Sequence, residues 1–434
     1  MIRSVRLKKL SNNNIINLFF LFSLIIYVFT YIYKYQYGNL ENYWLFFFDR
    51  SDRFADTLKI IFSFSFIFSE SELFALNVPE KWIYGNPYTQ LVNGSRTWVM
   101  SLPPLTVIFL AISAYIAKFI GGNYLFIYSI YLIILLVIFF KLFVYDFKDN
   151  KKIIFILFSF PFIFLLERGN IQAAIAGICL YLLFKKFWLG IEFNKFDLLF
   201  FLIACSIRPN YLVFGLIFLF KDNLLSNIKN FLKIGISYLG FNGILFFLAS
   251  LLVKDYNFNN FIYMVTYYTE LGIKYSPWNS SLYNSIYNIY MFGFDFIKSS
   301  NFKATVELID RVVLSPKLEN LIILFYSLVI IFSYFRLKIN KITRSSFLIT
   351  LSAGCALMTS PFADYHLVIF IFLTLLLISD PETKSTNKLN LVLMLIVLIP
   401  KFHSFSPYLN ISNITNVIML NLLILNNYKP NNKS

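Results

Sequence analysis

The chain has 434 residues, 58% of them hydrophobic and only 14% charged, with a mean hydropathy of +0.68. A soluble globular chain is roughly 45–50% apolar, so too few charged residues are present to solvate a globule of this size. The formal net charge of +16 would point to nucleic acid in a polar chain, but here most Lys and Arg flank apolar runs as membrane-loop anchors do, and no polar domain is present to bind nucleic acid.

Apolar runs recur along nearly the whole length, which predicts one all-α polytopic membrane domain over residues 1–434 and no soluble domain. Residues 15–34 form the first span. It follows Arg3, Arg6, Lys8 and Lys9, and no small-residue cleavage site succeeds it, so it is expected to stay uncleaved. Residues 35–122 then form a large loop. Its two apolar stretches, 58–69 and 99–120, read as interfacial or re-entrant helices, the first being too short to cross. Further spans are expected at 124–145, 153–166, 171–187, 196–207, 210–220 and 230–253. Residues 254–318, rich in Asn, Tyr and Ser, form a second long loop that resembles a solvent-facing lid. The last spans fall at 319–335, 345–359, 365–379, 389–402 and 412–427, for a bundle of about twelve (eleven to thirteen). Several are short, and the pairs 153–166 with 171–187 and 196–207 with 210–220 read as broken helices meeting inside the protein, which is tolerated only where they line a cavity.

Basic residues set the expected sidedness. The N-terminus, 146–152, 185–195 and 336–344 carry Lys and Arg in short loops and belong on the cytoplasmic side. Counting crossings then places 35–122, 167–170, 208–210, 254–318, 360–364 and 403–410 on the external face. Both termini are cytoplasmic, in a cell (inner or plasma) membrane.

The polar signals collect on that external face. Asp49, Asp52 and Asp56 alternate with Arg50 and Arg53 in the first loop, and such carboxylates suit general-base work while the arginines hold them or lower their pKa. Asn86-Pro87-Tyr88 follows, then Pro103-Pro104-Leu105 at the start of an apolar helix. Glu167-Arg168-Gly169-Asn170 with Gln172 interrupts two apolar runs, and an Arg in a short external turn runs against the positive-inside bias. Arg208-Pro209-Asn210 repeats the pattern, so two arginines at matching depth are suited to hold one anionic group between them. Trp278 to Asn284, with Asn279, mixes aromatics and amides as a sugar site does, and Ser360 to His366 offers Asp364 and His366. Cys179, Cys205 and Cys355 lie inside apolar runs and give no disulfide framework. With only His366 and His403, no metal-ligand spacing emerges, and there is no nucleotide-binding glycine fingerprint.

Taken in order over residues 45–370, these motifs resemble those of GT-C type membrane glycosyltransferases, nearest to glycosyltransferase family 87. One departure is that Arg208-Pro209 stands where such families commonly have Lys-Pro, which keeps the charge but replaces a point charge by a planar fork. The resemblance implies a polyprenyl-phosphate-linked sugar donor and a lipid or glycan acceptor on the non-cytoplasmic face, transfer with inversion, and no cofactor, a divalent metal being compatible but not required. Asp56, or else Asp52, would be the base. Arg168, Arg208 and Asn170 would hold the donor phosphate, and Gln172, Tyr88, Asn210, Asn279, Asp364 and His366 would line the substrate. Two other readings compete: a transporter or flippase of lipid-linked saccharide, for which broken helices and mid-depth arginines also speak, and a surface-polysaccharide polymerase or ligase.

Overall fold

The computed structural model describes residues 12–37, 102–120, 158–168, 170–220, 224–253, 256–270, 316–358, 367–379, 385–399 and 411–428, with shorter pieces within 129–137, 155–156 and 282–290. Every described element is a helix. In chain order they are α1 (Asn12–Tyr37), α2 (Pro104–Ile120), α3 (Phe160–Arg168), α4 (Ile171–Leu189), α5 (Lys195–Ile207), a 3-10 helix (Pro209–Leu219), α6 (Leu224–Leu252), α7 (Phe258–Glu270), α8 (Pro316–Lys338), α9 (Arg344–Met358), α10 (Val368–Ser379), α11 (Ser385–Leu398) and α12 (Ile411–Asn427).

Among the described residues, three helices are long and apolar enough to cross a membrane: 171–189 within α4, 225–252 within α6 and 317–338 within α8. They occupy different places. Only 11% of the apolar window of α6 and 22% of that of α8 is buried, against 72% for α4. α6 and α8 therefore lie at the periphery with apolar side chains turned outward, as lipid-facing helices do, while α4 lies in the core. α6, at 29 residues, is about 44 Å long and exceeds a hydrocarbon core of about 30 Å, so it fits by tilting or by projecting past it.

The core forms where small residues let helices approach. A Cβ on Gly177 of α4 would stand 2.9 Å from the Phe372 ring of α10, and one on Gly354 of α9 would stand 2.9 Å from Ile330 of α8. Without a hydrophobic drive between helices in lipid, such close packing is what holds them together. α10 is only 12 residues long yet is buried from Val368 to Leu377, so neighbours rather than lipid surround it. α11 and α12 are tied by an amide cluster: Asn390 donates to Asn427 Oδ1 at 2.9 Å and accepts from Asn426 at 2.9 Å.

Two expectations need correction. The expected span 210–220 is instead a 3-10 helix of 11 residues, Pro209–Leu219, not an α-helical half-span; at about 2.0 Å per residue it reaches about a third farther than an α-helix of the same length. The second long loop is not uniformly solvent-facing. It contains α7, whose Phe261 packs on Phe246 and Tyr256, and Tyr283 joins the buried core. Aromatic side chains dispersed among Asn and Ser made this stretch read as polar, but tertiary burial selects the aromatics.

The stretch read as re-entrant, 99–120, is described from Leu102. α2 opens at Pro104, as the paired prolines predict. Val107, Leu110, Ala111, Ala114 and Ala117 line one face and are fully buried. α2 packs on α6 and α5, and the Tyr256 hydroxyl donates to the Leu102 carbonyl at 2.8 Å. Burial raises the Tyr256 phenol above its ordinary range, so it stays protonated as that donor. The start of α2 and the end of α6 therefore sit at one level.

Candidate polar site at the end of the core opposite the basic loops

The molecule has two distinct poles, separated by the length of α4, about 28 Å. At one, the basic loops meet. Gly190 ends α4 in the left-handed region at φ 73°, and the Ile191 N–H donates to Lys186 O at 2.9 Å. Asn194 then caps α5 with a reciprocal box in which its Oδ1 accepts from Asp197 N and the Asp197 carboxylate accepts from Asn194 N. The same carboxylate takes two hydrogen bonds from Lys186 Nζ, at 2.8 and 2.9 Å. The second basic loop arrives with Arg344, whose guanidinium lies over the rings of Phe187 and Phe220. The basic segments 185–195 and 336–344 thus lie against one another.

At the other pole the two arginine-bearing breaks come together. α3 ends at Arg168 and the Asn170 N–H reaches back to Leu165 O at 3.1 Å. Asn170 caps α4, its side chain accepting from Ala173 N at 3.0 Å. α5 ends because Pro209 pushes the preceding residue out of the helical region, and Arg208 sits at φ −135°, ψ 93°. From there Arg208 Nη2 donates to Asn170 Oδ1 at 3.4 Å across 38 residues of sequence. The carbonyl of Asn210 accepts from the Cys355 thiol of α9 at 3.5 Å. Leu102 and Tyr256 belong to this pole as well, because α6 starts at the basic pole, where Asn230 and Lys233 lie beside Phe218 and Arg344, and ends here.

The electrostatics favour an anion. The positive end of the α4 dipole and the Arg208 guanidinium converge within one side chain of each other. Gln172, in the first turn of α4, is 5% exposed, and its Nε2 has no hydrogen-bond partner among the described residues. The hydroxyls of Ser206 near the end of α5 and Ser352 in α9 are likewise buried without one. A buried donor left unmade costs about 1–3 kcal/mol, so the Gln172 amide beside the start of α4 is a place for a ligand or water to enter. Sequence reasoning identified Asn170, Gln172, Arg208 and Asn210 but not Ser206, Ser352 or Cys355, which nothing distinguishes from other small residues in apolar runs.

The remaining predicted residues, Asp49, Asp52, Asp56, Tyr88, Asn279, Asp364 and His366, lie outside the described residues, as does the side chain of Arg168. Among the described residues, no three of His, Cys, Asp and Glu are grouped to hold a metal ion. Comparison of the chain with protein-family models, with curated proteins and with solved structures gives no match.

Proposed function

We propose that the chain is a membrane glycosyltransferase of GT-C type, of about twelve spans, that moves a sugar from a polyprenyl-phosphate-linked donor to a lipid or glycan acceptor on the external face. The observation that carries the reading is the meeting of Arg208 with the Asn170 cap at the positive end of α4, next to Gln172, whose buried Nε2 has no partner among the described residues. A phosphate placed there would receive a guanidinium, a helix N-terminus and an amide donor at once.

In the proposed reaction the Asp56 carboxylate, or else that of Asp52, takes the proton of the acceptor hydroxyl. The acceptor oxygen attacks the anomeric carbon, and the bond from that carbon to the phosphate oxygen breaks on the opposite side. Charge grows on the departing lipid phosphate, where Arg208, with Arg168 two residues before the cap, stabilises it in a site shielded from water. A single displacement inverts the anomeric centre.

The test is transfer from a polyprenyl-phosphate sugar by the full chain purified in detergent. Asp56→Asn is expected to lower the rate by ~10²–10⁴, the usual worth of a general base. If Asp56→Asn and Asp52→Asn both keep full activity, the base assignment is wrong. Movement of lipid-linked sugar across liposomes without formation of a glycosidic bond would favour a transporter instead.

A further inference from the structure

The basic pole holds a pocket that the proposed transfer does not use. It has a volume of about 500 Å³ and lies between the α4–α5 turn, the end of the 3-10 helix, the start of α6 and the first residue of α9. Phe187, Phe218 and Phe220 contribute aromatic walls. Among the described residues, Lys195, Lys233 and Arg344 line it against one carboxylate, Glu192; three positive charges less one negative leaves a balance of two positive.

Arg344 is its distinctive member. Its partners among the described residues are ring faces, Phe187 at 5.9 Å and Phe220 at 5.8 Å, and it makes no hydrogen bond or ion pair there. Among the described residues nearby, the buried acid Asp197 is already occupied by Lys186. Gly190 makes room for this arrangement, since a Cβ at that position would stand 2.1 Å from Arg344 Nη1. A planar guanidinium held by aromatic faces, with its N–H groups uncommitted, is suited to bidentate recognition of a phosphate.

The surroundings select the rest of the ligand. The pocket is flanked by the outward faces of α5 and α6, where Phe196 is 70% and Phe231 64% exposed, with Leu232 and Ile236 also exposed. A small soluble anion would leave these faces uncovered, whereas an amphiphile would satisfy both. We propose that this pocket binds the phosphate of an anionic membrane lipid, with Arg344 as its principal ligand, Lys233 and Lys195 at the rim, and acyl chains lying along α5 and α6.

The experiment is native mass spectrometry of the full chain in detergent, titrated in parallel with a phosphatidylglycerol, a phosphatidylcholine of the same acyl chains, and inorganic phosphate. Phosphatidylglycerol adducts are expected to be retained in preference to phosphatidylcholine. Arg344→Gln and Lys233→Gln should each reduce that retention about fivefold, the worth of one cation beside an anionic headgroup. Lys341→Gln, which removes the same charge from the same pole outside the pocket, should leave it unchanged. Lys233 is exposed on the surface of α6, so its variant gives a reading even if Arg344→Gln folds poorly. Equal retention of the two lipids overturns the proposal. So does a loss in Lys341→Gln equal to that in Lys233→Gln, which would mean diffuse surface charge, or displacement of phosphatidylglycerol by equimolar inorganic phosphate, which would mean a soluble-anion site.

Discussion

The two poles of this bundle satisfy their polar groups by opposite means. At the basic pole the two described turns, after α4 and after α8, are closed locally. Gly190 and Asn340 take left-handed backbone, at φ 73° and 54°, and Asn194 and Thr343 cap the helices that follow, the latter through Ser346 N at 3.1 Å. At the other pole the breaks at Asn170 and Arg208 are joined by a contact of 3.4 Å between residues far apart in sequence, and the buried Nε2 of Gln172 has no partner among the described residues. A turn that completes itself with neighbouring residues is built for stability. A break that depends on distant residues and leaves donors over is built to receive something.

The sharpest way to test that contrast is to remove Arg208. Arg208→Ala is expected to lower sugar transfer by ~10²–10³, as loss of one preorganised donor to a developing anion does, while the unfolding temperature moves little, because the duty assigned to the guanidinium is toward the donor phosphate. Arg208→Lys should recover part of the rate through its charge but not the bidentate geometry. A large loss of stability with Arg208→Ala would place Arg208 among the structural pairs and erase the difference between the poles.

Lys186→Met is the converse at the basic pole. It strands the Asp197 carboxylate, which is 1% exposed, on the Asn194 N–H alone. Because the Lys186 side chain is itself 30% exposed, water limits the damage, and the expected cost is about 2–3 kcal/mol, below that of a fully buried pair. Thermal unfolding in detergent measures it. The double variant Lys186→Met with Asp197→Asn should regain most of the loss, since no uncompensated charge remains. Transfer activity per folded molecule should stay near the starting value.

How far the two poles were legible in the sequence follows from the same contrast. Basic loops at 185–195 and 336–344 are local signals, and the structure brings them together. The pattern Asn194-x-x-Asp197 is a local capping signal too, set between two apolar runs that dominate the hydropathy there. The Arg168 and Arg208 breaks were visible as charge out of place, and their convergence agrees with the expectation of helix breaks meeting inside the protein. What no sequence pattern carried was the length of α6, the 3-10 geometry after Pro209, and the burial of Tyr283 within an Asn- and Ser-rich loop. Each depends on which neighbour a segment packs against, and periodicity along one segment does not contain that information. The amide cluster of Asn390, Asn426 and Asn427 was hidden for the same reason, because its members lie 36 and 37 residues apart.

Gly190→Ala tests the local closure itself. The left-handed backbone alone costs an L-residue about 1–2 kcal/mol, and the new methyl must also displace the Arg344 guanidinium. Arg344 is a flexible side chain and can retreat, so the total is expected near about 2 kcal/mol. Gly190→Asn, which tolerates that backbone better, should cost less. The order of the two melting temperatures checks the argument, and equal losses would mean that contact with Arg344 rather than backbone sets the penalty.

The smallest effect on stability is expected from Asn170→Asp, and it separates the two duties of that side chain. Aspartate caps a helix about as well as asparagine, and its charge is favourable at the positive end of α4, so the melting temperature should hold or rise slightly. The new carboxylate, however, stands beside Arg208 and occupies by charge the place assigned to the donor phosphate. Transfer should fall by about tenfold, roughly 1.4 kcal/mol of lost phosphate recognition, with the loss appearing as weaker donor binding. Asn170→Ala should show the reverse balance, losing about 1 kcal/mol of stability with the cap while keeping the Arg208 guanidinium, and with it the charge that meets the phosphate. If both variants change stability and donor binding in the same proportion, Asn170 acts only through the fold of α4, and the anion site must be sought elsewhere on this pole.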